Sequence, residues 1–207
     1  MARLYFLTMD DAPMDHVQQV EAACRAGIRW IQLRMKQASD EQVLEAARAA
    51  KKICLQWNCK LIINDRVVVA LEADVDGVHL GEEDMPVSEA RRILGRSKTI
   101  GGTANTLEDI RERWKQGADY IGLGPYRFTT TKKNLSPILG LEGYRRVLAE
   151  AKVEGICLPV VAIGGIKLED AASLFEAGLQ GIAFSGMLVH SVDWRGMVQE
   201  LEQEIYK

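Results

Sequence analysis

Apolar and polar residues along the chain fall into two alternating rhythms. Short runs of β-branched and apolar residues recur near positions 3–8, 28–34, 60–64, 76–80, 98–102, 119–123, 159–163 and 180–184, and each predicts a strand. Between them apolar residues recur three and four apart, the spacing of a helix with one buried face. The clearest case is 39–57, "SDEQVLEAARAAKKICLQW", where Ser39 is the predicted N-cap and Val43, Leu44, Ala47, Ala50 and Ile53 form the stripe. "TLEDIRERWKQ" opens with Thr106 as a cap and Glu108 and Asp109 in the first turn, and "KLEDAASLFEAG" stops at Gly178. Four pieces, "RAGIRWIQL", "EADVDGVHL", "QGADYIGLG" and "EAGLQGIAF", repeat one junction, a helix end followed by a small-residue turn and a strand.

Eight strands alternating with helices in 207 residues predict a compact (β/α)8 TIM barrel, a single domain over 1–207. An open doubly wound sheet is the alternative. Its dinucleotide-binding form needs GxGxxG after the first strand, where this chain has "MDDAPMDH".

Composition narrows the partners. With 47% hydrophobic residues the chain can fill one core, and a net charge of -3 gives no basic excess for nucleic acid or a membrane surface. No apolar run approaches the roughly 18 residues of a membrane span, and the opening "MARLYFLTMDD" is too short in apolar residues for a secretory signal, so a cytoplasmic protein is expected. Cys24, Cys54, Cys59 and Cys157 lack a CxxC spacing and read as four reduced thiols with no metal or disulfide role. Small-molecule substrates are the expected partners, and barrels of this size often pair through their helices into homo-oligomers.

In a barrel the chemistry sits at the C-terminal ends of the strands. "WIQLRMK" there sends Gln32, Arg34 and Lys36 to one face and Ile31, Leu33 and Met35 to the other. The bland explanation is a solvent-washed face, but most other strand ends are polar or glycine-rich too, which favours a site. Strand 3 ends in Asn64-Asp65-Arg66, strand 5 in "GGTANT", strand 6 in "GLGPYRFTTTKK", strand 7 in "AIGGI" and strand 8 in "AFSGML".

Gly164-Gly165 and Ser185-Gly186 expose backbone N–H groups where barrels often hold phosphate. Arg34, Lys36 and Lys132 form a second set that needs an anionic partner. Asp65 and Asp84 beside them are either salt-bridge partners or holders of Mg2+, which takes one or two carboxylates and leaves its other positions to water and substrate phosphate. "RFTTTKKNLSP" reads as a lid over the mouth. His79 reads as a packed histidine, His16 and His190 as surface residues, and Trp57, Trp114 and Trp194 as packing on helices. Three histidines so placed assemble no nucleophile–base set.

"QLRMK", "INDRVVVALEADVDGVHLGEEDMP", "GPYRFTTTKK", "VVAIGGI" and the turn after strand 8 together resemble the thiamine phosphate synthase family. The resemblance implies a Mg2+-dependent transferase barrel of thiamine biosynthesis. Such an enzyme joins a 4-amino-5-hydroxymethyl-2-methylpyrimidine diphosphate to a 4-methyl-5-(2-phosphoethyl)thiazole, giving thiamine monophosphate and pyrophosphate. It further implies that Gln32 contacts the pyrimidine, that Arg34, Lys36, Asn64 and Lys132 hold the diphosphate, and that Asp65 and Asp84 bind Mg2+. Thr129, Thr131, Gly164, Gly165, Ser185 and Gly186 would hold the thiazole phosphate, with the strand 8 turn one residue off the family's usual spacing. Thr103 stands where the family usually has Ser, and Met35 where it commonly has Glu. Arg34, Lys36, Thr103 and Lys132 are the residues expected to act on the reacting groups. The chain also begins almost at strand 1, where family members often carry a further helix.

Alternatives are a related thiazole tautomerase, a phosphosugar isomerase or decarboxylase barrel, and a non-catalytic barrel that binds phosphorylated ligands. The tautomerase family lacks the magnesium acids and uses a His after strand 5, where this chain has Asn105.

Overall fold

A computed structural model describes residues 2–128 and 137–206. Eight parallel strands close into a barrel in chain order: β1 (Leu4–Leu7), β2 (Trp30–Leu33), β3 (Lys60–Asn64), β4 (Gly77–Leu80), β5 (Thr99–Ala104), β6 (Tyr120–Leu123), β7 (Val160–Ile163) and β8 (Gly181–Phe184). β8 returns to pair with β1, Ala183 opposite Tyr5, so no edge is left open. The helices are α1 (His16–Ala26), α2 (Asp40–Gln56), α3 (Val67–Glu72), α4 (Val87–Leu94), α5 (Leu107–Lys115), α6 (Gly140–Val153), α7 (Ala171–Glu176), α8 (Gly186–Val189) and α9 (Trp194–Ile205).

The caps follow the sequence. Ser39 and Thr106 each close a capping box, with Gln42 and Asp109 as the reciprocal partners. Gly178 turns the chain after α7 with φ of 100°.

Strand alternation splits the core in two. Leu4, Phe6, Ile31, Leu33, Leu61 and Ile63 face the helices, and Tyr5, Leu7, Trp30, Ile62, Tyr120 and Val161 fill the barrel interior. Trp30 stacks on Tyr5 with ring centroids 4.0 Å apart. Gln32, two residues on, lies on the same inward face and donates to Tyr5 Oη at 2.8 Å. The polar face of "WIQLRMK" thus continues the barrel interior into its mouth. Met35 packs against the outer core, as the alternation requires.

Three expectations fail. His16 is half-buried rather than superficial, because its ring bridges Thr8 Oγ1 (2.8 Å) and Asp10 Oδ1 (3.2 Å). Trp57 and Trp114 are 37% and 44% exposed, so of the three helical tryptophans only Trp194 packs inward, edge-on to Phe6. Trp57 instead carries the Arg29 guanidinium over its ring.

Candidate active site

The C-terminal mouth encloses a cavity of about 350 Å3. Gln32, Arg34, Lys36, Asn64, Asp65, Asp84, Thr103, Gly164, Gly165, Ser185 and Gly186 all line it. Both residues of the strand 8 turn face the cavity together with Met187, so the offset spacing there costs no exposure to the site. Thr129, Thr131, Lys132 and the predicted lid, apart from its flanks, lie outside the described residues.

The loop after β2 is fixed on both sides. Its Arg34 and Lys36 N–H groups donate to Thr8 Oγ1 (2.9 Å) and Asp10 Oδ2 (3.3 Å). From the other side Arg66 clasps it, donating to Met35 O at 2.8 Å, Ala38 O at 2.6 Å and Asp40 Oδ1 at 2.6 Å. The Arg of "INDR" therefore holds the segment that carries Lys36. Burial pushes the Arg34 guanidinium down from its ordinary value while Asp10 and Asp65 oppose this.

Lys36 Nζ reaches Asp65 Oδ2 at 2.5 Å, and Asp65 contacts Asp84. Burial raises the Asp65 carboxyl, but Asp84 and Lys36 more than reverse it, leaving Asp65 below the ordinary carboxylate value. Asp84 shifts the opposite way, raised by burial and by the Asp65 carboxylate beside it. Two carboxylates this close hold one proton between them, and a divalent cation can take that proton's place. The donor chemistry thus fits Mg2+. Asp84 Oδ2 also accepts from Gly81 N–H at 2.6 Å, which fixes its orientation.

Below the mouth a buried hydrogen-bonded chain crosses the barrel. Gln32 donates to Tyr5, Tyr5 pairs with Tyr120 at 3.0 Å, Tyr120 meets His79 Nδ1 at 2.9 Å, and His79 Nε2 meets Thr103 Oγ1 at 3.1 Å. His79 is packed, as its apolar strand predicts, and it also orients the Thr103 hydroxyl. Burial, reinforced by Arg113 and opposed by Asp65, lowers the imidazole to about 4, so it is neutral near pH 7. The chain exists because β5 leaves room for it. A Cβ on Gly101 would stand 2.1 Å from Tyr120 Cζ and 2.5 Å from His79 Nδ1.

Across the mouth Gly164 and Gly165 adopt φ of 97° and 69°. A Cβ on Gly165 would meet Arg127 Cγ at 2.6 Å and Phe128 O at 2.8 Å, so the turn is packed under the loop after β6. Arg127 forks onto Asp170 at 2.6 and 2.9 Å and donates to Gly165 O at 3.1 Å. Asn105 donates to Gly124 O at 2.8 Å and Pro137 O at 3.0 Å, tying both flanks of that loop to the end of β5.

Two buried polar atoms on the cavity wall, Asn64 Nδ2 and Ser185 Oγ, have no hydrogen-bond partner among the described residues. Both face one cavity, where a ligand oxygen would satisfy each of them.

Arg113 and Asp170 carry no assignment from the sequence, and Arg66 and Arg127, present in "INDR" and "GPYRFTTTKK", carry no role from it. Arg113 is buried on α5 and donates to Thr103 O at 3.2 Å and Gly81 O at 3.1 Å, bracing the end of β5 that carries Thr103 and the loop that carries Asp84. Its only sequence signal is a charge on the apolar stripe of α5.

The molecule is thus a closed (β/α)8 barrel whose mouth sets charged side chains on one side of a cavity and a glycine-rich turn on the other. The profile of the thiamine monophosphate synthase family matches residues 4–188. The thiamine-phosphate synthase of Bacteroides fragilis is 49% identical over 193 residues, covering 93% of this chain and 95% of that protein. That of Flavobacterium johnsoniae is 44% identical, covering 99% and 96%. The solved thiamine phosphate pyrophosphorylase of Pyrococcus furiosus superposes with a TM-score of 0.86 at 33% identity, covering 99% and 95%. The chain belongs to the thiamine monophosphate synthase family.

Proposed function

We propose that this protein joins the pyrimidine diphosphate and the thiazole phosphate into thiamine monophosphate, releasing pyrophosphate in a Mg2+-dependent transfer. One observation carries the reading: a single cavity is walled by a cationic set with two carboxylates on one side and a glycine-rich turn with an unpartnered serine hydroxyl on the other.

In this reading Gln32 orients the pyrimidine through the amide left free by its bond to Tyr5. Arg34, Lys36, Asn64 and Lys132 hold the diphosphate and neutralise it as the bond between the methylene carbon and the bridging oxygen breaks. Asp65 and Asp84 hold Mg2+, which supplies further positive charge to the leaving pyrophosphate when bound. The ring amino group stabilises the methylene cation, and the thiazole nitrogen closes the new C–N bond with its own electron pair. Thr129, Thr131, Gly164, Gly165 and the Ser185-Gly186 turn fix the thiazole phosphate so that nitrogen faces the methylene. Thr103, with its hydroxyl oriented by His79, contacts the diphosphate end. No protein nucleophile is required.

The test is pyrophosphate release measured with both substrates and with each alone. Release that requires both, with thiamine monophosphate formed in equal amount, is the expected result. Release from the pyrimidine diphosphate alone, or binding of both substrates without release, would overturn the reading.

A further inference from the structure

Three of the four cysteines meet far from the mouth. Cys24 lies near the end of α1, Cys54 near the end of α2, and Cys59 one residue before β3, which places all three at the N-terminal end of the barrel. All are buried, at 0%, 2% and 7% exposure, and their Sγ atoms lie within 4.8 Å of one another. Cys59 Sγ donates to Lys60 O at 3.6 Å. Among the described residues no His, Asp or Glu joins the group. Sequence spacing relates Cys54 to Cys59 but gives no sign of Cys24, which arrives by the packing of α1 against α2.

We infer that Cys24, Cys54 and Cys59 form a three-sulfur site for a thiophilic divalent d10 cation of the zinc and cadmium class. Three thiolate ligands and no hard oxygen donor select a soft or borderline ion over magnesium or calcium. A zinc–sulfur distance of about 2.3 Å in near-tetrahedral geometry sets the sulfurs about 3.8 Å apart, so a contraction of about 1 Å or less closes the triangle.

Charge favours a divalent ion over a monovalent one. Three thiolates around a divalent ion leave one negative charge, and Arg29, which donates to Cys24 O at 3.0 Å, supplies one positive charge beside it. A monovalent ion would leave a second negative charge near Asp76, which already acts electrostatically on Cys54. Binding breaks three S–H bonds, forms three metal–sulfur bonds and releases three protons to solvent, with no electron transferred. The product is a cross-brace joining α1, α2 and the start of β3, at the barrel end that serves stability rather than chemistry.

The test uses the full chain reduced with a phosphine and titrated with Cd(II). One thiolate-to-cadmium charge-transfer band saturating at one equivalent is expected in the wild type and in Cys157→Ser. Affinity should fall at least tenfold in Cys24→Ala and in Cys54→Ala. Cadmium held at Asp65 and Asp84 gives no such band. One equivalent of Zn(II) should raise Tm in the wild type and leave Cys54→Ala unmoved. X-ray absorption on the zinc-loaded wild type should show a shell of three sulfurs at about 2.3 Å, and decides the matter even where an alanine variant fails to fold. A band undiminished in both alanine variants, the lack of any band in the wild type, or a shell of oxygen and nitrogen alone would overturn the inference.

Discussion

The two sides of the mouth are built from different parts of the amino acid. Beyond β2, β3 and β4 the wall is made of charged side chains, Arg34, Lys36, Asp65 and Asp84, held in place by Thr8, Asp10, Arg66 and Gly81. Beyond β7 and β8 it is made largely of backbone, with Gly164 and Gly165 in left-handed conformations and the Arg127–Asp170 fork securing the loops behind them. A charged wall suits a metal-assisted leaving group whose charge grows during reaction. A backbone wall suits a phosphate that is only held. The first is disabled by taking atoms away, the second by adding them.

The largest effect is expected from the charged side. Arg34→Ala should lower kcat/KM for the pyrimidine diphosphate by one to two decades, from the loss of a charge-assisted contact of about 1.5–3 kcal/mol. Steady-state kinetics with each substrate varied in turn checks this. An effect confined to KM for the thiazole phosphate would exchange the two walls.

His79 lies beneath both walls, and its prediction concerns stability. Its folded value of about 4 lies below the unfolded 6.5, so the unfolded chain binds the proton more readily. The stabilisation is complete well above pH 6.5 and is lost progressively as pH falls through 6.5 toward 4. Between pH 6.5 and 5.0 the wild type should lose about 1.5 kcal/mol more than His79→Gln, because the full slope of roughly 1.4 kcal/mol per unit is reached only below the unfolded value. Urea unfolding of both proteins at the two pH values measures it, and parallel losses would show that His79 is not neutralised by burial.

Asp84→Asn should raise the Mg2+ concentration for half-maximal activity about tenfold, because it removes one hard anionic oxygen donor. A Mg2+ titration of the variant is the check. An unchanged midpoint would leave Asp65 and Asp84 as salt-bridge and loop-fixing groups only.

The backbone side gives the smallest of these effects. Gly165→Ala forces a Cβ into a left-handed turn at a cost of about 1–2 kcal/mol, and should raise KM for the thiazole phosphate up to about tenfold. KM for the pyrimidine diphosphate should stay within about twofold, measured in the same assay.

What was legible in the sequence follows the same division. The eight strands, the Ser39 and Thr106 caps and the inward face of Gln32 were readable because each is set by local periodicity or by a cap three residues from its partner. Arg34, Lys36, Asp65 and Asp84 were readable because a charge at a strand end is conspicuous. The braces were not. Arg66, Arg113 and Arg127 bind carbonyl oxygens 28 to 38 residues away at Ala38, Gly81 and Gly165, and a carbonyl has no sequence signature. β5 reaches Ala104, two residues beyond its predicted end, because the ladder to β6 continues through Thr103–Gly122 and Ala104–Leu123. Thr103 is therefore a strand residue that points at His79, rather than a loop hydroxyl. The cysteine cluster was hidden for the same reason as the braces, since one of its members comes from a different helix.

The most direct test of the divided mouth is calorimetric titration of two ligands into three proteins. Inorganic pyrophosphate with Mg2+ and the thiazole phosphate are each titrated into the wild type, Arg34→Ala and Gly165→Ala. The expected pattern is crossed: Arg34→Ala loses at least tenfold in affinity for pyrophosphate and stays within about threefold for the thiazole phosphate, whereas Gly165→Ala loses about five- to tenfold for the thiazole phosphate and stays within about twofold for pyrophosphate. Loss of the same ligand in both variants, or equal loss of both ligands in each, would contradict a mouth with two separate anion sites.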